Sequence, residues 1–344
     1  MPSRPARGDL HQYVDRSSQA VRDEQLFWDG AIRFLYSRVR ERAPSLFAAL
    51  TSPRMSRVLG FLNYESFVAR PFARGPQFLA AAGIDVRECV EAPEDLDTLA
   101  KLFERKIRYW ECRPLPARPD AVVSPADARM VSGSLGDSPL ISIKGKFFQL
   151  AELLGHRLRH SERFKGGEAA VFRLTPDKYH YNHAPVSGAV VDHYEIDGAM
   201  HSCNPGAVVA TLTPLSKNRR SVTLIDTDRP GGTRVGLVAM VEVGALMIGD
   251  IVQCYSEHRY DSPRAMVPGL WLERGAPKSR YRPGGSTDVL LFEPNRIEFN
   301  ADLRENQRRA DVRSRYSLGF GFPFVETDIR VRSEIAVPRR KEVL

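Results

Sequence analysis

A cluster of prolines divides this chain into two parts with different sequence patterns. The segment RPLPARPDAVVSP carries prolines at positions 114, 116, 119 and 125. Proline lacks a backbone N–H and its ring clashes with the preceding turn, so a helix cannot continue through such a segment. We therefore expect a boundary near residue 115, with one unit over residues 1–112 and a second over residues 113–344.

The part before the prolines has the spacing of helices. Four apolar residues recur at intervals of four, three and four positions: Trp28, Ile32, Leu35 and Val39. This spacing places them on one face of a helix. The runs LFAAL, RVLGFL and QFLAAA add further short apolar faces. The sequence predicts a helical N-terminal region.

The part after the prolines has the pattern of strands. Short β-branched runs are separated by Gly, Pro, Asn and Asp, as in SGAVVDHYEIDG, RSVTLID, RVGLVAMV and DVLLFE. Such runs are typical of strands joined by turns. The exception is FFQLAELLGHRLRH, which has helical spacing. We expect an α+β fold, in which a helical N-terminal region precedes a β-rich domain of mainly antiparallel sheets.

Composition narrows the class of protein. The 344 residues carry 50 Lys and Arg against 42 Asp and Glu, a formal net charge of +8. This charge suits an anionic membrane surface or nucleic acid as a partner, and equally an ordinary enzyme. The apolar content of 42% and charged content of 27% are those of a folded globular chain. They exclude wholesale disorder, collagen-like repeats and coiled coil.

The cysteines and the apolar runs indicate where in the cell the protein is expected. The four cysteines form no Cys-x-x-Cys pair, so we expect reduced thiols in an intracellular protein. The N-terminal residues MPSRPARGDLHQYVDR lack the apolar stretch of a secretory signal. The longest apolar stretch, residues 235–252, contains Glu242, Asp250 and three glycines. We expect two or three buried strands there, because a membrane-spanning helix rarely carries such residues.

The C-terminal residues are rich in arginine. The segments NADLRENQRRADVRSRY and IAVPRRKEVL follow Phe299. Two interpretations have equal weight: a solvated basic surface, or contact with lipid or phosphate groups.

Three polar segments stand out within the β-rich part. They are VSPADARM around Asp127, LTPDKYHYNHAPVSG around His180 and His183, and YRPGGSTDVLLFE around Ser286. Taken singly, a histidine on a strand is more often structural than catalytic, and Gly-Gly-Ser-Thr resembles a turn before a strand. The two histidines could form half of a zinc site, but no third and fourth ligand occurs at finger-like spacing, so we expect no metal.

Together the three segments hold the residue types of an activated hydroxyl. Asp, His and Ser make a base oriented by a carboxylate and a nucleophile activated by that base. Gly284 and Gly285 carry no Cβ atom, so the peptide before Ser286 is unshielded. This combination is suited to attack of Ser286 on the backbone itself.

On these motifs the chain resembles the phosphatidylserine decarboxylases, a family of pyruvoyl-dependent enzymes. The resemblance runs from about residue 30 to about residue 300. The segments that resemble family motifs, in chain order, are LFERKIRYWECRPLPARP, VVSPADARM, ISIKGKFFQLAELLG, FRLTPDKYHYNHAPVSG, HSCNP, KNRRSV, VGALMIGDI and GGSTDVLLFE. The last resembles the family's self-cleavage site in its Gly-Gly-Ser-Thr form.

The resemblance implies a role for each candidate residue. Ser286 would be the cleavage serine, His183 the base that activates it, and Asp127 the carboxylate that orients His183. Oγ of Ser286 would attack the Gly285 carbonyl to give an ester, and elimination and hydrolysis would then leave a pyruvoyl group at position 286. The products would be a β chain of residues 1–285 and an α chain of residues 286–344. His180 would assist decarboxylation or reprotonation.

The same resemblance implies a substrate and partners. The amine of phosphatidylserine would form a Schiff base with the pyruvoyl group, which takes up electrons as CO2 leaves and phosphatidylethanolamine is made. The expected partners are phosphatidylserine, an anionic membrane surface and the protein's own cleaved chains, with no nucleic acid. A homodimer is an open alternative. We expect peripheral association with the cytoplasmic side of the membrane.

Two interpretations of the first helix also have equal weight. Its aromatic and apolar residues lie beside arginines, as in a helix that rests in a membrane interface: Trp28, Ile32, Phe34, Leu35 and Tyr36, with Arg33, Arg38, Arg40 and Arg42. The same apolar residues could instead pack against the catalytic domain. Attraction of about 1 kcal/mol per well-placed Lys or Arg favours peripheral binding to anionic lipid.

Three alternatives to this function remain open. One is a pyruvoyl-dependent enzyme that acts on a soluble amino acid or on another serine-headed lipid. Another is a lipid-binding relative that never cleaves itself, although the retention of Asp127, His183 and Ser286 argues against it. A nucleic-acid role is the weakest, because no RNP-like, zinc-finger or helix-turn-helix pattern occurs.

Overall fold

The computed structural model describes residues 10–24, 26, 29–52, 55, 84–136, 147–155, 157–211, 213–245, 250–284 and 286–339. Trp28, Gly285 and the predicted helical runs at residues 57–62 and 77–82 lie outside the described residues. Within the described part, the chain forms short helices around one large sheet and two small ones.

The N-terminal region contains strands as well as helices. Its elements are β1 (Gln12–Asp15), β2 (Val21–Asp23), α1 (Asp29–Phe34) with a π-helical turn (Leu35–Val39), α2 (Arg40–Arg42), α3 (Pro44–Leu50), α4 (Leu99–Phe103) and α5 (Tyr109–Cys112), with 3-10 turns at Val86–Glu88 and Pro93–Asp95. Strand β1 pairs in parallel with a strand at Thr327–Ile329. Strands β1 and β2 are too short to show an alternating pattern, so the sequence does not predict them.

The rest of the described chain is rich in strands. Its strands are β3 (Val122–Val123), β4 (Ala128–Ser134), β5 (Glu168–Leu174), β6 (Tyr181–His183), β7 (Gly188–Ile196), β8 (Arg220–Asp226), β9 (Leu237–Gly244), β10 (Ile251–Gln253), β11 (Trp271–Leu272), β12 (Pro277–Tyr281), β13 (Ser286–Phe292), β14 (Ile297–Phe299), β15 (Thr327–Ile329) and β16 (Glu334–Pro338). Its helices are α6 (Leu150–Leu153), α7 (Leu158–Phe164), α8 (Pro205–Ala210), α9 (Pro214–Lys217), α10 (Ala301–Gln307) and α11 (Arg315–Phe320).

The large sheet has ten strands in the order β11-β7-β8-β9-β13-β5-β4-β15-β1-β2. Its neighbours pair antiparallel except β1 and β15. Two three-stranded antiparallel sheets, β10-β12-β6 and β14-β16-β3, complete the β structure. The prediction of a β-rich α+β fold with mainly antiparallel sheets is confirmed. The division into two units near residue 113 stays a prediction.

Strand β13 lies near the middle of the large sheet and is buried on both faces. Leu290 and Phe292 enter one hydrophobic core, while Val289 and Leu291 enter a second core on the opposite face. Side chains alternate between the faces of a strand, so a continuous apolar run such as VLLF fills both cores. Strand β13 is therefore fixed by its two neighbouring strands and by both cores.

Two further predictions from apolar patterns concern the stretch 235–252 and the segment FFQLAELLGHRLRH. The stretch 235–252 forms the buried strand β9 and enters the half-buried strand β10, so the prediction of buried strands holds fully only for β9; FFQLAELLGHRLRH contributes helices α6 and α7. Among the described residues, no helix has both the length and the apolar character needed to cross a bilayer.

The first helices pack against the β-rich part of the chain. Tyr36 and Phe47 form a small core with Ala207 of α8, and three further apolar residues of the first helical segment pack on it: Ile32, Leu35 and Val39. The predicted apolar stripe therefore faces inward in this structure. Phe34 lies off this stripe and is 54% exposed.

Candidate active site

Ser286 is the first residue of β13 and is fully buried. Its cross-strand partners are Gly244 on β9 and Leu174 on β5. Gly284, two residues before it, has a backbone φ of +139°. A residue with a Cβ atom rarely adopts that φ, so the chain requires glycine two positions before the serine. Gly285, the predicted cleavage residue, is outside the described part of the chain.

His180 is the imidazole that contacts Ser286. Its Nδ1 atom lies 3.3 Å from Oγ of Ser286, and the ring is fully buried. The ring of Phe103, at the end of α4, stacks on that of His180 with 3.5 Å between centroids and 16° between planes. The N-terminal region thus supplies one wall of the site.

The environment keeps His180 neutral. Burial is the main cause that lowers the pKa of His180 to about 3, and the nearby Arg105 cation acts in the same direction, while Asp177 opposes it. Arg105 is held in place by the carbonyls of Leu102 and Asp177, each at 2.8 Å. A neutral imidazole can accept a proton, so Nδ1 is in a position to receive the proton of the Ser286 hydroxyl.

His183, the last residue of β6, is bound at both ring nitrogens. Nδ1 lies 2.8 Å from the carbonyl oxygen of Gly275, and Nε2 lies 3.0 Å from the hydroxyl of Tyr179. A carbonyl only accepts hydrogen bonds, so Nδ1 carries the hydrogen and, in the neutral ring, Nε2 accepts from Tyr179. Burial also lowers the pKa of His183 to about 3.

Asp127, which precedes β4, is held by an arginine. Oδ1 and Oδ2 accept hydrogen bonds from Nε and Nη2 of Arg113 at 3.1 and 2.8 Å. Oδ1 also accepts from the backbone N–H of Val331 at 2.7 Å. Although burial opposes it, the charge and hydrogen bonds of Arg113 lower the pKa of Asp127. Asp127 is therefore ionised, and its charge raises the pKa of His183 against the effect of burial.

The structure brings together some of the predicted residues. Ser286 and His180 are in hydrogen-bond contact. Both nitrogens of His183 bind other groups, and Asp127 binds Arg113 and Val331. In this arrangement the implied chain from Ser286 to His183 to Asp127 is not formed by hydrogen bonds. Which histidine takes the serine proton stays a prediction.

A layer of buried polar residues, which the sequence did not predict, lies beside Ser286. Glu242 on β9 is the direct cross-strand partner of Asp288 on β13. Both residues are fully buried, as are Lys278 and Tyr281 of β12. The available signal was the presence of acidic residues within the apolar runs VGLVAMVEVG and STDVLLF. Phe103, Arg105 and Arg113 were also missed, because their contacts with the site depend on the tertiary fold.

Comparison with known proteins decides the family. A family model described as phosphatidylserine decarboxylase matches residues 99–317, more than half of the chain. The chain belongs to the phosphatidylserine decarboxylase family. This match includes Asp127, both histidines and Ser286. The family is one of carboxy-lyases that act in phospholipid biosynthesis, so the resemblance seen in the sequence is confirmed.

Curated members of the phosphatidylserine decarboxylase family match nearly the whole chain. The phosphatidylserine decarboxylase proenzyme of Chlamydia trachomatis serovar L2 is 32% identical over 294 residues, 85% of this chain and 90% of that protein. The Chlamydia muridarum proenzyme is 32% identical over 314 residues, 91% of this chain and 97% of that protein. The Chlamydia pneumoniae proenzyme is 30% identical over 299 residues, 86% and 92% of the two chains.

Proposed function

We propose that this protein converts phosphatidylserine to phosphatidylethanolamine and CO2 after it cleaves its own chain between Gly285 and Ser286. The observation that carries the proposal is the contact of 3.3 Å between Oγ of Ser286 and Nδ1 of His180. A buried hydroxyl next to a neutral imidazole is the arrangement of an activated nucleophile. The names of the relatives, which are called proenzymes, support cleavage.

The residues present fit a pyruvoyl group at position 286. The serine that would give rise to it is buried, and its hydroxyl has an imidazole partner. Strand β13 continues from it and pairs with β9 and β5 over seven residues on each side. When formed, a pyruvoyl group supplies a carbonyl that binds the substrate amine and takes up electrons as CO2 leaves.

The two histidines differ in the support for their roles. The contact with Oγ supports His180 as the group that takes the Ser286 proton. The resemblance gives that role to His183, with Asp127 as its carboxylate, and gives His180 the later decarboxylation. Single His180→Gln and His183→Gln substitutions separate the two assignments. The base is the histidine whose loss stops cleavage, while loss of the other leaves a cleaved chain with impaired decarboxylation.

The two chains are proposed to stay together after cleavage. The α chain would begin with β13, which lies between β9 and β5 of the β chain. It would also include β15, which lies between β1 and β4. These strand pairings should survive cleavage of the peptide bond between residues 285 and 286, because they are held by backbone hydrogen bonds along the length of each strand. A homodimer of the cleaved protein stays a prediction.

We further propose that the protein binds the cytoplasmic side of a membrane as a peripheral protein. Phe34 and Leu46 are 54% and 52% exposed on the first helices, and Arg38 and Arg42 are exposed in the same region. Apolar side chains beside cations suit an anionic lipid surface. Phe34→Ser/Leu46→Ser is expected to weaken co-sedimentation with phosphatidylserine vesicles at least about tenfold. Val267→Ser, at a site 50% exposed elsewhere, is the control; equal binding by both variants would contradict the proposal.

Intact mass and a denaturing gel test the cleavage. The freshly folded protein should give fragments of residues 1–285 and 286–344, the smaller with a blocked N-terminus. Ser286→Ala should remain one chain. An uncleaved, folded parent would refute the proposal and favour a non-cleaving lipid-binding relative.

Activity tests the substrate. The cleaved protein should release CO2 from phosphatidylserine vesicles and not from free amino acids. The reverse result would show a decarboxylase of soluble amino acids.

A further inference from the structure

Three apolar side chains on the helices of this protein are strongly exposed. Leu318 on α11 is 68% exposed, the highest fraction among the large apolar side chains of the described residues. Phe34 on α1 and Leu46 on α3 have the next highest fractions. Single exposed apolar residues are common, but exposed apolar residues that share one surface mark a binding site. Phe34 and Leu46 belong to the proposed membrane surface, whereas Leu318 has no role so far.

Helix α11 belongs to the same layer of helices as α1 and α8. Nη1 and Nη2 of Arg315 on α11 donate to the carboxylate of Asp29 on α1 at 2.5 and 2.8 Å. Asn204, the N-cap of α8, donates to that carboxylate at 3.3 Å. Gly319 on α11 lies so close to α8 that a Cβ atom there would be 2.2 Å from Cγ1 of Val209. Helix α3 also packs on α8, so the exposed apolar residues lie on one helical layer.

The end of α11 forms an apolar edge, residues 318–322, that is anchored in the core. The ring of Phe324 is buried, and the rings of Phe320 and Phe322 lie 5.7 and 5.9 Å from it, measured between centroids. Phe320 and Phe322 are themselves only half-buried. Aromatic and aliphatic side chains that remain partly exposed over a packed core are typical of surfaces that enter a membrane interface.

The charge of the helical layer selects an anionic partner. Residues 35–50 carry three arginines and one acid, and residues 308–320 carry four arginines and one acid. Arg308 and Arg313 are exposed, and neither forms an ion pair within the part of the chain that the structure describes. A second copy of this chain would place arginines against arginines, which repel. An anionic lipid surface attracts these cations and accepts the apolar side chains as well.

We infer that α11 provides a second lipid contact, in which Leu318 and the apolar edge enter an anionic membrane surface together with Phe34 and Leu46. The inference rests on the proposed function and adds to it. After cleavage, α11 lies in the α chain while α1 and α3 lie in the β chain, so both chains hold the protein on the membrane. The arginine-rich segment after Phe299 then contacts lipid, one of the two interpretations that its sequence left open.

Co-sedimentation with vesicles tests the apolar contact. The vesicles contain phosphatidylcholine and phosphatidylglycerol, because phosphatidylglycerol is anionic but carries no serine for the enzyme to consume. Leu318→Ser should weaken binding by about three- to tenfold, since the leucine side chain loses its burial in lipid. Val267→Ser, at an exposed position outside the helices, should bind as the parent does. Parental binding by Leu318→Ser would overturn the inference. Phe34→Ser/Leu46→Ser in the same assay shows separately whether the membrane proposal stands.

The same vesicles test the contribution of charge. Arg308→Gln/Arg313→Gln should weaken binding at least about fivefold and should make it less sensitive to salt. Arg118→Gln/Arg330→Gln removes the same charge at exposed positions outside the helical layer and is the control. Equal binding by the two double variants would show that net charge alone matters, and would overturn the placement of this lipid contact on α11.

A fluorophore reports the contact directly and independently of affinity. Leu318→Cys and Val267→Cys proteins are labelled with a dye whose emission depends on polarity, and the labelled parent, which has four cysteines, gives the background. Vesicles should shift the emission from position 318 to shorter wavelength and leave that from position 267 unchanged. An unchanged emission from position 318 in vesicle-bound protein would overturn the inference.

Two further measurements separate this inference from other roles of Leu318. Sedimentation velocity without lipid should give the same mass for the parent and Leu318→Ser. A parental dimer that Leu318→Ser dissociates would assign the edge to a second copy and overturn the lipid contact. Leu318→Ser should also cleave itself and decarboxylate a short-chain, water-soluble phosphatidylserine as the parent does. A loss of either activity would show that the residue acts on the fold or the active site instead.

Discussion

Replacing Arg173 should destabilise the protein strongly, because its guanidinium joins three distant parts of the chain. Arg173 on β5 donates to Glu326 through Nε at 2.9 Å and Nη2 at 2.6 Å. It donates to Glu24 through Nη1 at 2.8 Å and Nη2 at 2.6 Å. The imidazole of His11 is 2.7 Å from Glu326. His11, Glu24 and Glu326 have the donor atoms of a metal site, but the guanidinium of Arg173 supplies the cation here.

The size of the effect follows from burial. Arg173 and the two carboxylates are almost entirely shielded from water. Arg173→Met keeps the length of the side chain but leaves two facing carboxylates without this partner. Loss of one member of a buried ion pair costs about 3–5 kcal/mol. Arg163→Met is the control, because the pair between Arg163 and Glu293 is solvent-exposed at the arginine and should contribute only about 0–1 kcal/mol.

Urea unfolding of the uncleaved Ser286→Ala protein measures the effect on a single chain. Arg173 lowers the pKa of Glu326 in the folded state. The ion pair therefore stabilises the parent fully at pH values above the pKa of Glu in the unfolded chain, and this stabilisation is lost as pH falls through the acid range. In Arg173→Met the unpaired carboxylates can take up protons instead. The difference in unfolding free energy between parent and variant should therefore shrink between about pH 7 and pH 5. A loss below about 1 kcal/mol near pH 7, or a loss that does not change with pH, would refute the reasoning.

Three further outcomes are expected. Phe103→Ala should slow self-cleavage by up to about tenfold, because it removes a stacking contact with His180 that is worth about 0.5–1.5 kcal/mol. Denaturing gels measure the time course of cleavage, and an unchanged time course would contradict this prediction. In the Ser286→Ala background, Asp288→Asn should gain stability over the parent as pH rises above the ordinary pKa of Asp, by up to about 1.4 kcal/mol per pH unit. The reason is that burial raises the pKa of Asp288, so the folded parent keeps a proton that the unfolded chain has lost. Urea unfolding at several pH values measures that gain, and a gain independent of pH would count against a protonated Asp288. Finally, the cleaved chains should co-elute in native size-exclusion chromatography and separate only in denaturant, since β13 is hydrogen-bonded on both sides.

The sequence was sufficient for features that depend on neighbouring residues. The apolar run before Glu293 predicts a strand, and β13 forms there, while its burial on both faces was seen only in the structure. The helical spacing of FFQLAELLGHRLRH predicts α6 and α7. The apolar stripe of Ile32, Leu35 and Val39 was also visible, but the sequence left open whether it faces a membrane or packs against the rest of the protein. These predictions succeed because side-chain periodicity is a local property.

The candidate site was only partly visible in the sequence. The resemblance to a known family identified four candidate residues: Asp127, His180, His183 and Ser286. It could not give the contacts that each of these residues makes. The structure places Phe103 on His180 and Arg113 on Asp127, and it leaves His183 bound to Gly275 and Tyr179. Such contacts join residues that are far apart in the chain, so no local pattern reports them.

The sequence by itself therefore determined the family, the β-rich composition and the serine that ends the Gly-Gly turn, since these depend on residue order alone. The tertiary structure decided which charged groups meet in the interior. Glu242 and Asp288 are separated by 46 positions and become direct partners only because β9 and β13 pair in one register. A shift of one residue would move both side chains to other partners. Burial raises the pKa of both carboxyl groups, and the charge and hydrogen bond of Lys278, which contacts Glu242, lower the pKa of Glu242.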